Sequence, residues 1–238
     1  MNLSVIFIGT GKYLNFLPNW YAACEKHLVL NAEKHYYIFT DGELSDTPDN
    51  MTVYSQEHLS WPYITLFRFG TILKAEKKLS QSDWVLFLDA DMLVIDEVKE
   101  EDLFTDKKYI GVHHPCHFMG MNPHNKLPGA FETNKKSLAC IAEDDDVSVY
   151  FQGCLWGGRV PDVIDMMKEL DSRTQKDLSN DVIAVWHDES QMNKFFAERR
   201  DDVHIMSPSF AYPEVFSQYC DFKPIIMHLS KDNSKYQL

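Results

Sequence analysis

Trp84-Val85-Leu86-Phe87-Leu88-Asp89-Ala90-Asp91 decides the fold. Five consecutive apolar residues that stop abruptly at two carboxylates read as a buried strand running into a polar loop. Upstream, Leu3-Ser4-Val5-Ile6-Phe7-Ile8 ends in the same manner at Gly9-Thr10-Gly11, and Tyr36-Tyr37-Ile38-Phe39 ends at Thr40-Asp41-Gly42. Between these strands lie helical patterns: Tyr21, Cys24 and Leu28 follow Pro18, and Ile64, Phe67, Ile72, Leu73 and Leu79 follow Pro62. Pro suits a first helical turn, and the spacings of three and four give one apolar face. Residues 43–60 read as polar connection with a short strand near Met51-Thr52-Val53-Tyr54. The order β-α-β-(β)-α-β predicts an α/β fold with a mostly parallel sheet. Ligands of such sheets bind beyond the carboxyl ends of the strands, where Gly9-Thr10-Gly11, Asp41-Gly42 and Asp89-Ala90-Asp91 converge.

Beyond residue 95 the pattern changes. Residues 109–135, rich in His, Pro, Gly and Asn, read as loops; residues 143–146 form an acidic turn; residues 161–170 and 191–200 read as helices. No repeat, low-complexity tract or flexible linker interrupts the chain, so one domain is expected over residues 1–238. Its two parts are 1–95, with the strand-exit motifs, and 96–238, with a C-terminal tail.

Composition limits the function classes. The 238 residues carry 23 Lys+Arg and 36 Asp+Glu, a net charge of −13, with 45% hydrophobic and 13% aromatic residues. That aromatic content argues for a packed core rather than disorder. The acidic balance argues against nucleic acid, whose tight binding requires clustered cations. It would also repel a phosphate ligand unless an Arg or a divalent cation intervened. No run reaches the ~18 apolar residues a membrane helix needs, and the N-terminus lacks the charged and apolar regions of a signal peptide. The five cysteines are scattered, odd in number and without CxxC, which indicates free thiols in a reducing compartment. A cytoplasmic location is expected.

Three clusters could carry chemistry. Asp89 and Asp91, two residues apart at a strand exit, could reach one hard cation, Mn²⁺ or Mg²⁺, shared with phosphate oxygens. The plainer reading is an acidic turn capping the next element. In Trp186-His187-Asp188-Glu189, Asp188 could be a helix N-cap with Glu189 favouring the positive helix end. Alternatively Glu189 is a catalytic carboxylate and Trp186 a sugar-stacking surface. His113-His114-Pro115-Cys116-His117 contains zinc-ligand types, but no second pair follows at zinc spacing, so hydrogen bonding to a polar substrate is the better reading. Gly153, Gly157 and Gly158 around Cys154-Leu155-Trp156 permit close backbone approach, although glycine-rich turns have many causes.

Collectively these pieces resemble family 6 glycosyltransferases, the group of the blood-group A and B transferases and the α-1,3-galactosyltransferases. The matching segments are Gly11-Lys12-Tyr13, Ala23 to His27, His35 to Asp41, Asp89-Ala90-Asp91-Met92, His114-Pro115, Gly157-Gly158 and, most specific, Ala184-Val185-Trp186-His187-Asp188-Glu189-Ser190-Gln191-Met192-Asn193-Lys194. The resemblance implies a single-domain GT-A fold with a Rossmann-like sheet, its nucleotide-binding half with the DxD at 1–95 and a mainly acceptor-binding half with the C-terminal tail at 96–238. It also implies transfer of galactose or N-acetylgalactosamine from UDP-Gal or UDP-GalNAc to the 3-OH of a galactose-terminated glycan, forming an α-1,3 linkage with retention.

Carried over position by position, Ile8, Gly9 and Tyr13 border the uridine. Arg68 contacts the donor and the DxD region. Asp89 and Asp91, with Ala90 between them, hold Mn²⁺ (or Mg²⁺) on the diphosphate. Gln152, Gly153 and Cys154 occupy the sugar-selecting stretch, Asp188 bonds the donor sugar, and Lys231 and Lys235 are tail residues closing on UDP. His114, Trp186 and Glu189 meet the acceptor, with Glu189 the catalytic carboxylate. Some bacterial relatives replace both DxD aspartates by asparagine and dispense with metal; this chain keeps both, so metal dependence is expected. The animal members' membrane helix and stem have no counterpart here, which points to a bacterial or phage-borne member. A phosphatase of the haloacid-dehalogenase type shares a similar LFLDAD string, but near its domain start. A non-catalytic sugar-binding protein would have little use for Asp89, Asp91 and Glu189 together.

Overall fold

The computed structural model describes residues 1–121, 131–232 and 236. The strands are β1 (Asn2–Ile8), β2 (Glu33–Thr40), β3 (Met51–Ser55), β4 (Trp84–Leu88), β5 (Met92–Val94), β6 (Tyr109–His113), β7 (Phe151–Arg159), β8 (Val203–Met206), β9 (Tyr212–Pro213) and β10 (Ile226–His228). The α-helices are α1 (Leu17–His27), α2 (Tyr63–Leu66), α3 (Arg68–Leu73), α4 (Glu76–Leu79), α5 (Glu100–Leu103), α6 (Pro115–Phe118), α7 (Asp162–Ser179) and α8 (His187–Ala197).

Seven strands form one sheet in the order β3-β2-β1-β4-β7-β6-β8, and all but β7 run in one direction. A small sheet, β5-β10-β9, follows the DxD. This is the single α/β domain with a mostly parallel sheet that the sequence predicts. β4 of the first half pairs with β7 of the second, so both halves share one sheet.

The continuous apolar runs are explained by burial on both sheet faces. Val5, Phe7, Leu86 and Leu88 pack on one face with Leu17, Trp20 and Cys24 of α1. Ile6, Ile8, Val85 and Phe87 pack on the other with Phe69 and Ile72 of α3, Met167 and Leu170 of α7, and Phe195 and Phe196 of α8. At about 25 cal/mol per Å² of apolar surface, fully burying side chains of this size contributes roughly 1.5–3 kcal/mol each.

Three local expectations are corrected. The stretch expected as loops over residues 109–135 contains β6, a strand inside the main sheet, and the one-turn helix α6; residues 122–130 lie outside the described part. Gly157 and Gly158 lie in β7, where the expected close backbone approach is found. A Cβ on Gly157 would stand 2.3 Å from the Val85 carbonyl oxygen, so glycine lets β7 approach β4. The single helix expected from Pro62 to Leu79 is three short helices separated by bends at Phe67 and at Lys74–Ala75. Finally, α7 extends to Ser179 and α8 begins at His187, earlier than residue 191. Among the described residues no helix is long and apolar enough to cross a membrane.

Candidate active site

A cleft of about 290 Å³ opens where β1 and β4 end. Ile8, Thr10 and Tyr13 line it from the β1 side, Arg68, Asp89 and Asp91 form its floor, and His228, Lys231 and Tyr236 come from the C-terminal segment. A second hollow of about 330 Å³ adjoins it, sharing His228 and Lys231 and lined by His114 and Gln152.

Arg68 organises the floor. It projects from the first position of α3, is almost fully buried, and stacks over the Phe87 ring at 4.6 Å. Nη1 donates to the Gly153 carbonyl at 2.7 Å and pairs with Asp188 at 2.8 Å, while Nη2 reaches Asp89 at 3.4 Å. One guanidinium thus ties β4, β7 and α8 together, a task suited to its fixed fork of donors.

The two DxD carboxylates have unlike surroundings. Burial raises Asp89 above the usual carboxylate range despite Arg68. Burial would raise Asp91 as well, but His228 and Lys231 overcome it and hold its carboxyl well below that range. His228 Nε2 lies 3.2 Å from Asp91 Oδ2, and the Lys231 ammonium contacts the same oxygen. On its other side, His228 Nδ1 meets the Gln152 amide nitrogen at 3.1 Å. Ala90 is buried, its N–H bonded to Asp89 Oδ1 at 3.0 Å.

Glu189 faces this floor from the first turn of α8. The Tyr150 hydroxyl donates to Oε1 and the Gly153 N–H to Oε2, each at 2.7 Å. A Cβ on Gly153 would stand 3.3 Å from Oε2, a tight contact, and 3.5 Å from Arg68 Nη1, an ordinary one, so glycine leaves this carboxylate uncrowded. Burial raises the Glu189 carboxyl, while Tyr150, Gly153 and Arg68 oppose the rise. The capping expectation for Asp188 is corrected: Trp186 is the N-cap residue, and Asp188 turns inward to Arg68. His187 precedes it at φ +52°, a left-handed conformation that costs about 1–2 kcal/mol for a residue with a side chain. This kink starts α8 so that Asp188 meets Arg68 and Glu189 meets Tyr150 and Gly153.

Burial, with Glu189 and Asp89 nearby and Arg68 opposing, pushes Asp188 up to about 7. A carboxyl raised on folding stabilises the folded state below its unfolded value and loses that contribution as pH rises through the folded one. His228, which burial would lower but Asp91 raises, acts in the same sense. His35, His113, His117 and His187, all lowered chiefly by burial, act in the opposite sense. The Asp188 contribution is therefore read by difference: the Tm of the wild type relative to Asp188→Asn should fall as pH rises from about 4 to about 7, measured by thermal denaturation of both across a pH series.

The structure gathers most sequence-predicted residues at this site. Ile8, Tyr13, Arg68, Asp89, Asp91 and Lys231 line the first cleft; His114 and Gln152 line the second hollow; Gly153, Asp188 and Glu189 bond into the Arg68 network. Gly9 lies beneath the wall, its N–H bonded to the Phe39 carbonyl at 3.0 Å. Cys154 departs from its expected place: its side chain is buried in the core with Leu88 and Ala90, and only its carbonyl serves the site by accepting the Asp89 N–H at 2.9 Å. Trp186 is half-buried at the start of α8, its N–H bonded to Ser190 Oγ at 2.9 Å, and lines neither hollow. Lys235 lies outside the described residues.

Sequence reasoning missed His58, Trp61, Tyr150, His228 and Tyr236, whereas Thr10 lies in the Gly9-Thr10-Gly11 strand exit expected at the cleft. His58 Nδ1 and Thr10 Oγ1 are 3.0 Å apart across the first cleft wall. Tyr236 packs edge-on against Tyr13 at 5.1 Å, bringing the tail over the cleft mouth. No local pattern marks these positions.

The profile of glycosyltransferase family 6 matches residues 1–236. The O-antigen biosynthesis glycosyltransferase WbnI of Escherichia coli is 28% identical over 238 residues, covering 99% of this chain and 98% of its own. Globoside alpha-1,3-N-acetylgalactosaminyltransferase 1 of Homo sapiens is 24% identical over 223 residues, 90% of this chain and 62% of its own. Histo-blood group ABO system transferase 1 of Rattus norvegicus is 27% identical over 213 residues, 85% of this chain and 58% of its own.

Proposed function

This chain belongs to glycosyltransferase family 6, and from that premise we propose that it moves galactose or N-acetylgalactosamine from a UDP-sugar to the 3-OH of a β-galactoside, forming an α-1,3 linkage with retention. The observation that supports this reading is the single Arg68 network, which joins Asp89 of the DxD to Asp188 and, through Gly153, to Glu189. Nucleotide-handling and sugar-handling groups then share one floor.

Asp89 and Asp91 fit a divalent cation, Mn²⁺ or Mg²⁺. Both carboxylates line one cleft, and the Lys231 ammonium on Asp91 Oδ2 stands in for a cation there. Among the described residues no cluster of three or more His, Cys, Asp or Glu forms a cage, so such an ion would depend on donor phosphate oxygens and water for its other ligands. When bound it would supply Lewis-acid stabilisation of the departing diphosphate. Arg68 and Lys231 add fixed positive charge on the same side, where negative charge develops as the glycosidic bond breaks. Glu189 supplies the opposite need. The anomeric carbon gains positive character, and an ionised carboxylate held in place lowers that barrier whether it attacks or only stabilises.

Tyr150 is the positioning residue for that carboxylate. Tyr150→Phe should lower kcat about tenfold with little change in acceptor KM. Its hydroxyl favours ionised Glu189, so removing it raises the Glu189 pKa and moves the acid limb of the kcat profile to higher pH. An unmoved limb would reject the positioning role.

The direct test is UDP release from UDP-Gal and from UDP-GalNAc, with and without lactose, in Mn²⁺ and then in EDTA. Lactose-stimulated release with one donor, abolished by EDTA, is the expected result. Binding of UDP-sugar without release or transfer would favour a binding role on the same fold.

A further inference from the structure

Residues 182–186, which join α7 to α8, belong to no helix or strand, so their N–H groups take partners outside any ladder. The Val182 N–H bonds to the Asp177 carbonyl at 2.9 Å, and the Trp186 N–H to Ser190 Oγ at 2.9 Å. The Val185 N–H instead meets a side chain from a distant loop, Glu132 Oε2, at 2.7 Å. Glu132 is buried, and its other oxygen accepts the Asn134 N–H at 2.7 Å. That loop is itself anchored. The Glu132 carbonyl accepts the Ile141 N–H at 2.9 Å, and the buried Asp177 carboxylate of α7 takes the Ser137 hydroxyl at 2.6 Å and the Leu138 N–H at 2.8 Å. The same carboxylate accepts the Gln191 side-chain amide of α8 at 2.8 Å, so α7, the loop and α8 are tied together. Two residues after Val185 comes the left-handed His187, followed directly by Asp188 and Glu189.

Resting on the transferase reading above, we infer that Glu132 is a positioning residue for the reaction: by holding the Val185 N–H it keeps the turn at His187 in the conformation that sends Asp188 to Arg68 and Glu189 to Tyr150 and Gly153. A left-handed backbone is disfavoured for a residue with a side chain and persists where the surrounding structure over-determines it. Downstream of the turn the clamp is Asn193, whose Nδ2 donates to the Phe151 carbonyl at 2.8 Å and to the Glu189 carbonyl at 2.9 Å. Upstream, two residues from the turn, the clamp is Glu132. The His187 ring adds a tie to the donor side, standing edge-on to Trp61 of the first cleft at 4.8 Å. Released from Glu132, the chain can relax at His187 toward right-handed or extended backbone, and both acids would swing with it. Glu132 lines neither hollow, so its effect on the reaction has to pass through the turn.

The test measures sugar transfer, with Tm beside it, in Glu132→Ala and Glu132→Gln, each in the wild-type and in the His187→Gly background. Alanine removes both carboxylate contacts; glutamine leaves one oxygen for two N–H groups and keeps the side-chain volume, so it carries the same comparison where alanine fails to fold. Glu132→Ala should lower kcat roughly 10–100-fold, since a displacement of about 1 Å caused from afar can cost about 10²-fold. Donor KM should stay within about threefold, because Asp89, Asp91 and Lys231 lie on other elements. Glycine adopts the left-handed backbone without strain, so in the His187→Gly background the loss on removing Glu132 should shrink to about threefold or less. A loss of equal size in both backgrounds, or a lowered Tm with kcat intact, would overturn the positioning role and leave Glu132 as a loop tie only. Amide hydrogen exchange over residues 185–189 is a readout independent of turnover, and it should quicken about tenfold in Glu132→Ala. Unchanged exchange there would overturn the inference even if the wild type transferred no sugar, a result that would separately remove the transferase reading.

Discussion

Asp91→Asn lowers Mn²⁺-supported sugar transfer by about a thousandfold and abolishes the response to metal, on the expectation that one well-aimed electrostatic group in an active site is worth 10²–10³ in rate. The substitution keeps the shape of the side chain and removes its charge. Two opposing effects then have to be separated. Lys231 and His228, both held on Asp91 Oδ2, lose their counter-charge, and Lys231 becomes free to approach a diphosphate. That effect favours donor binding without metal. The other effect is the loss of one of only two DxD carboxylates on this floor, which weakens any cation shared with the donor. The second should dominate, since Asp89, the carboxylate left behind, is already engaged by Arg68 and raised by burial. Breaking a buried charge pair also costs about 3–5 kcal/mol in stability. A lowered Tm therefore has to be measured beside the rate, and UDP binding in Mn²⁺ and in EDTA read on folded protein. Wild-type transfer undiminished in EDTA would sink the metal assignment outright.

How far the sequence disclosed this arrangement follows from the range of the interactions. β1 and β4 were legible because burial on both faces demands unbroken apolar runs, and Val5–Ile8 and Val85–Leu88 alternate between the two cores without a polar interruption. β7 was obscured by the same packing. Its Gly157 lies so close to β4 that no side chain fits, so the glycines that signalled close backbone approach also broke the apolar run that marks a strand. β6 has a strand-like Tyr-Ile-Gly-Val core, but the following His-Pro-Cys-His run imposed a loop reading on it. In the site, Asp89, Asp91, Asp188 and Glu189 stood in motifs with a chemical rationale. Tyr150 and His228 did not. Each acts through one contact across a long separation, 39 residues to Glu189 and 137 to Asp91, and a lone Tyr or His carries no spacing signal. Asp188 shows the converse failure. Its position favoured a cap by local rules, yet the left-handed His187 and the buried Arg68 redirected it.

Glu189→Gln provides the second large effect, and its value is in what should not change. Gln preserves the side-chain volume, and its carbonyl oxygen can keep one of the two donors now bound to the carboxylate, Tyr150 or the Gly153 N–H. With the carbonyl accepting from the Gly153 N–H, the amide nitrogen can donate to the Tyr150 hydroxyl, which reverses its role from donor to acceptor, so the floor stays packed. Arg68 retains its bonds to Asp188, Asp89 and the Gly153 carbonyl, none of which involves Glu189 directly. Donor affinity should therefore stay within a few-fold of wild type. Turnover should fall about a thousandfold, because the lost negative charge is needed mainly when the anomeric carbon becomes positive. A fall in kcat and kcat/KM by similar factors, with donor Kd preserved, is the signature of an interaction made in the transition state. Weaker donor binding with near-normal kcat would assign Glu189 to ground-state recognition. The pH profile supplies an independent check: wild-type kcat falls on acidification as Glu189 protonates, whereas Gln cannot titrate, so the residual activity of the variant should lose that limb.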